Sequence, residues 1–168
     1  MRRPDRAALT FTAATGSALI AVAVSAVLLP ERVPTHFGAG GAADDWGTRT
    51  GAVVVQAAIT AGTGALFAAL ARWMPTLPWE WINLPGKERW AEQGQQDEVR
   101  RRLRSDVLWL GSTVALLNTA LTASTVDAAR SGTDHLPWWF FLAFGTWLAT
   151  ITGYVVYMGL VRYRPPDR

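Results

Sequence analysis

The sequence predicts an all-α integral membrane protein, a bundle of four transmembrane helices with a compact outer loop between the first two. Three observations predict it. Half of the 168 residues are hydrophobic, and the apolar ones are gathered into blocks. Four blocks, Ala7–Leu29, Gly51–Ala71, Val107–Val126 and Leu136–Val161, carry no charged side chain and run for 23, 21, 20 and 26 residues. All but three of the 16 Lys and Arg residues fall before the first block, between the second and third, or at the C-terminal end. A helix needs ~20 mainly apolar residues to cross the hydrocarbon of a bilayer, so every block is long enough. The helices are expected at about 7–29, 51–74, 106–126 and 136–161, with an outer loop over 30–50 and a cytoplasmic loop over 75–105, all within one membrane domain.

The first block follows Arg2, Arg3 and Arg6, as the core of an export signal would. It is longer than the roughly 7–15 residues of such a core, and Leu28, Leu29, Pro30 and Glu31 offer no small-residue cleavage site. It is read as a retained helix. Positive residues concentrate in cytoplasmic loops, and only Arg32, Arg49 and Arg130 lie on the other side. Both termini are therefore expected in the cytoplasm of a multi-pass cell-membrane protein, with 30–50 and 127–135 facing outward. The net charge of +3 follows from the same bias and from attraction to anionic headgroups, and no nucleic-acid partner is inferred. With no cysteine, neither a disulfide framework nor a thiolate metal site can form.

Small and hydrogen-bonding residues mark helix faces that pack in membranes. In the third block Gly111, Ala115, Asn118, Thr122 and Thr125 recur at three- and four-residue steps. The second block pairs Ala58 with Gly62 and Ala61 with Ala65, and the fourth aligns Thr146, Thr150 and Gly153. These stripes are expected to be covered by neighbours in an up-down bundle. Trp73, Trp79, Trp81, Trp90 and Trp109 are expected near the inner interface, and Trp46, Trp138 and Trp139 near the outer one. Gln56 and Asn118 are the most polar residues inside the spans and read as helix–helix hydrogen bonds. No ionisable side chain lies mid-span and no repeated half is visible, which argues against a coupled transporter.

The outer loop concentrates the candidate chemistry. Pro30 and Pro34 stiffen its start, Gly38, Gly40, Gly41 and Gly47 permit turns, and Thr48 or Thr50 can cap the second helix. His36, Asp44, Asp45 and Trp46 are the residues most suited to bind a ligand or to fix the loop. Their spacing matches no metal motif, and no metal or cofactor is expected. The stretch LPERVPTHFGAGGAADDWGTR resembles the segment between the first two helices of SdpI-like bacterial membrane proteins, through Pro30, Val33, Pro34, His36, Gly41, Asp45, Trp46 and Gly47. After the second helix WINLPGKERW resembles that family's Asn-x-Pro-Asn-Lys-x-x-Trp stretch through Asn83, Pro85, Lys87 and Trp90, with Gly86 in place of the second asparagine.

The resemblance covers roughly the first 90 residues. It implies a domain of largely unknown function, shared with a membrane receptor that protects a bacterium from a secreted toxin and restrains a cytoplasmic repressor. A sensor or toxin-immunity factor is therefore expected, with a peptide toxin or envelope ligand outside and a cytoplasmic regulator inside. A small-molecule or lipid-binding membrane protein, or a transporter accessory, is the alternative. Residues 95–104 are expected to form a short helix whose Arg100, Arg101, Arg102 and Arg104 meet either lipid phosphates or an acidic partner. Oligomerisation stays open. His36 and His135 accompany no nucleophile motif, and no phosphate-binding glycine loop is present. No catalytic residue is assigned.

Overall fold

The computed structural model describes residues 5–165; Arg2, Arg3 and Arg168, which contribute to the charge bias, lie outside them. The chain runs as α1 (Arg6–Leu28), β1 (Arg32–Phe37), β2 (Ala43–Thr48), α2 (Arg49–Trp73), α3 (Lys87–Glu92), α4 (Gln96–Ser131) and α5 (Trp138–Tyr157). A 3-10 turn extends α2 to Thr76, and a π turn, Met158–Arg162, extends α5. Among the described residues four helices, α1, α2, α4 and α5 with their extensions, are long and apolar enough to cross a membrane. By length and composition this is a multi-pass membrane protein whose spans sit in lipid.

The helix ends carry the expected chemistry. Asp5 caps α1 by accepting the Ala8 amide at 3.1 Å, and Thr48 caps α2 by accepting that of Gly51 at 3.1 Å. Arg104 also donates to Asp5, and that hydrogen bond, with the Ala8 amide, holds the Asp5 carboxyl below its ordinary pKa. The short helix expected at 95–104 and the third span are one helix of 36 residues. Nothing between them breaks a helix, and Glu98 pairs with Arg101 and Arg102 at helical spacing. Gly132 ends α4 with φ 66°.

α4 is the centre of the fold, packing against α1, α2 and α5. Gly111 marks the crossing, since a Cβ there would lie 2.7 Å from the Phe11 ring and 2.8 Å from that of Phe67. One turn further Ala115 packs with Ala14 and Ala18. The α4 stripe is thus covered as expected, Thr122 being buried and Asn118 donating weakly to Thr63 at 3.5 Å. The other two stripes are not. Ala58, Ala61, Gly62 and Ala65 of α2, and Thr146, Thr150 and Gly153 of α5, are exposed. On α2 the face with buried Thr60 and Ala71, together with Phe67, meets the other helices instead. Small residues lose little by facing lipid, so their periodicity alone does not identify the packed side.

α5 has no fully buried residue. It is held to α4 near both ends. At one end Trp139 Nε1 donates to Asp127 at 3.0 Å; at the other Tyr154 stacks on Trp109 with ring centroids 3.9 Å apart. Beyond it Asp106, 2% exposed, accepts from Tyr154 Oη at 2.7 Å and Tyr163 Oη at 2.6 Å, and from both Nε and Nη2 of Arg162. Eight residues of regular α-helix would leave Arg162 ~80° around from Tyr154. The wider π turn, closed by Tyr163 N to Met158 O at 3.1 Å, winds less per residue and returns Arg162 to that face.

At this arginine end Ile82, Trp90, Val99 and Tyr163 form an apolar cluster. Trp90 is 2% exposed, so it is a core residue and not the interfacial anchor expected. Lys87 donates to the Glu80 carbonyl at 3.1 Å, while Asn83 and Pro85 are exposed. Gly86, where the resembling motif has asparagine, has φ 64°, and a Cβ there would lie 2.2 Å from Pro165. Asparagine tolerates a left-handed backbone, but here no side chain fits.

Candidate ligand-binding site

The loop between the first two spans, expected as a compact turn structure, folds as an antiparallel hairpin. Val33 faces Gly47 and Pro34 faces Trp46, with irregularities on either side of His36. Val33 and Pro34 are buried, while the residues around them are largely exposed. These two apolar side chains seat the strand on the bundle. At the tip Gly41, φ 80°, lies so close to Phe141 that a Cβ would sit 2.6 Å from the ring. Backbone bonds from Ala43 N to Asp134 O, 2.7 Å, and from Leu136 N to Gly41 O, 2.8 Å, tie the tip to the α4–α5 connection. At the base Arg49 pairs with Glu31 and reaches the Leu29 carbonyl at 3.4 Å.

Beneath the hairpin lies a cavity of about 510 Å³, within the roughly 300–1,000 Å³ typical of small-ligand sites. Pro34, Thr35, His36 and Phe37 of β1 roof it, and Val55, Gln56 and Ile59 of α2 form one wall. Leu121, Thr122 and Thr125 of α4 form another, and Ser25 and Leu29 close the α1 side. Most of this surface is apolar. The Ser25, Thr122 and Thr125 hydroxyls donate to carbonyls of their own helices, at 2.7, 2.9 and 3.0 Å. Gln56 differs: its Nε2 is buried and has no hydrogen-bond partner among the described residues. An amide donor withdrawn from water without an acceptor costs about 1–3 kcal/mol. Because Gln56 also lines the cavity, a turn of its side chain toward that space would let an acceptor brought by a ligand satisfy the amide.

His36 is at the rim, and its Nδ1 is 2.5 Å from Asp44 Oδ1. Asp45, opposite His36 in the strand register, instead accepts from Thr35 Oγ1 at 3.2 Å. Trp46 lies under the Arg32 guanidinium, 4.7 Å from ring centroid to Cζ. Of the four loop candidates, then, His36 alone lines the cavity, Asp44 orients it, and Asp45 and Trp46 brace the hairpin. Among the described residues no three His, Asp or Glu side chains are placed to hold a metal ion. Gln56 was legible only as a polar residue within a span, since its isolation depends on which helix face the hairpin covers. The Asp106 cluster was missed because Asp106 heads an apolar block and reads as a boundary charge. The signal was the recurrence of Tyr154, Arg162 and Tyr163 at the matching depth of the following helix.

Residues 14–60 match the family model described as Domain of unknown function (DUF1648). The matched segment holds most of α1, the hairpin and the first part of α2, and so supplies the roof and two sides of the cavity. No curated protein and no solved structure matches the chain.

Proposed function

We propose that this protein is a bacterial cell-membrane sensor or toxin-immunity factor of the SdpI-like type, which recognises a peptide or envelope ligand in the cavity under its hairpin. The distribution of Lys and Arg supports a topology with the hairpin outside and both termini in the cytoplasm. A ligand arriving from outside would then meet His36 and the hairpin first. The observation that carries the reading is the Gln56 amide nitrogen, without a partner among the described residues, beside a largely apolar cavity. A peptide offers the complement, an apolar side chain for Val55, Ile59 and Leu121 and a backbone carbonyl for Gln56 Nε2. Exposed Asn83 and Pro85, in the segment that resembles the family's cytoplasmic motif, offer a surface for a regulator. The apolar floor also favours a second reading, in which the cavity binds a lipid or small molecule.

The test fills the cavity. Ala52 lines it, and Ala52→Phe should occupy the space while leaving the hairpin's backbone bonds intact. Sensitive cells expressing the protein are challenged with peptides secreted by its native culture. Survival with the parent protein and its loss with Ala52→Phe, at equal membrane levels, supports immunity. Equal survival with and without the protein contradicts it, and co-purified lipid lost only from Ala52→Phe supports the second reading. Topology is checked separately: Ala43→Cys should react with an impermeant thiol reagent in intact cells and Gln95→Cys only after lysis.

A further inference from the structure

At the opposite end a polar recess of about 450 Å³ lies between α4 and the π turn. Three guanidinium groups line it: Arg101 and Arg102 from α4 and Arg162 from the π turn. Each is already oriented. Arg101 gives Nε and Nη2 to Glu98, Arg102 gives Nε to Glu98 and Nη1 to the Arg162 carbonyl, and Arg162 gives Nε and Nη2 to Asp106. One terminal amino group of each arginine is left without a partner among the described residues. The hydroxyls of Ser105 and Tyr157, also in the recess, make no hydrogen bond to another described residue. Against three positive charges stand Glu98 and Asp106, so the site is net positive, with donors in excess of acceptors.

We infer that this recess binds the phosphate group of an anionic phospholipid from the adjoining leaflet. Guanidinium groups fixed by their own carboxylates pay little further entropy to hold a phosphate, whose oxygens accept in a geometry that matches the arginine fork. A basic pocket between transmembrane helices, at the level where they leave the hydrocarbon, is where such headgroups bind. The lipid source is chosen by the recess's outer edge. Tyr157 and Val161 are 43% and 60% exposed and continue into exposed Val156 and Leu160, an apolar track for an acyl chain. A free phosphate would have no use for that track. The site also divides the arginine run, because Arg100 bonds Leu77 O and Asp97 and Arg104 bonds Asp5, which leaves only Arg101 and Arg102 of the four in the recess.

The experiment compares two variants of equal charge. Parent protein, Arg101→Gln and Arg100→Gln are purified in neutral detergent. Retained phosphatidylglycerol is counted by native mass spectrometry, and melting is followed with added phosphatidylglycerol, phosphatidylcholine or inorganic phosphate. The Arg101 side chain is 69% exposed, so its replacement should leave the fold intact. Phosphatidylglycerol should be retained and should raise the melting temperature of the parent and of Arg100→Gln. Its affinity should fall about fivefold in Arg101→Gln, as loss of one surface arginine near anionic lipid implies. Equal losses in both variants would show a bulk charge effect and overturn the site. So would equal retention of phosphatidylcholine, or full stabilisation by inorganic phosphate alone.

Discussion

The two ends of the molecule treat their buried polar groups in opposite ways. At the arginine end Asp106 is almost fully buried and receives four hydrogen bonds, so that little of its carboxylate is left to bind anything else. At the hairpin end Gln56 lines a cavity, and its Nε2 is buried without a partner among the described residues. A saturated buried charge is architecture: it fixes α5, which has no buried residue of its own, to the rest of the fold. An unsatisfied polar group beside open space is an offer to a ligand. Trp90 Nε1 at the arginine end is also without a partner among the described residues, but it sits in an apolar cluster under the Arg102 guanidinium, where the ring faces a cation at 5.2 Å.

If this contrast is correct, substitutions at the two ends should separate stability from binding. The largest loss of stability is expected from Asp106→Ala, which strands Arg162 and two tyrosine hydroxyls. Removing one partner of a buried ion pair costs roughly 3–5 kcal/mol, and the detergent melting temperature should fall accordingly. Asp106→Ala that melts like the parent would show that α5 is held by something other than this cluster. Next comes Gly111→Leu, which forces the Phe11 and Phe67 rings apart. Overpacking of this kind costs about 1–3 kcal/mol, whereas Leu116→Ala, on the exposed face of α4, should be nearly neutral. Equal effects at the two positions would remove α4 from the centre of the fold.

How much of this was legible in the sequence depended on what each residue needed to know about distant ones. Span number and approximate limits follow from local composition, because a helix that crosses lipid must be long and apolar, and the Gly111 stripe followed from small residues on one helix face. The α2 and α5 stripes misled because a small residue loses little by facing lipid, so its periodicity does not tell the packed face from the exposed one. The continuity of α4 through Gln96–Ser131 was hidden by a change from charged to apolar residues midway, which alters the surroundings and not the backbone. His36, Asp44, Asp45 and Trp46 were recognisable as a group from the loop. Their division into rim and brace was not, since it depends on strand pairing and on the irregularities around His36.

A smaller effect is expected at the rim. His36 and Asp44 are more than half exposed, and pairs of this kind contribute about 0–1 kcal/mol. His36→Ala should therefore shift melting only slightly, and if the imidazole meets the ligand it should weaken protection without lowering membrane levels. A fall in stability as large as that of Gly111→Leu would make His36 a structural residue and take it out of the site.

The central claim is that Gln56 awaits a partner from outside the chain, and Gln56→Leu tests it most directly. Replacing an unpaired buried amide with an apolar side chain of similar size removes a desolvation penalty without removing a bond. Thermal melting of Gln56→Leu in detergent, measured beside survival of challenged cells, should show a melting temperature equal to or above that of the parent together with lost protection. A lowered melting temperature with protection intact would mean that Gln56 already has its partner within the protein, and that the cavity under the hairpin is not where recognition occurs.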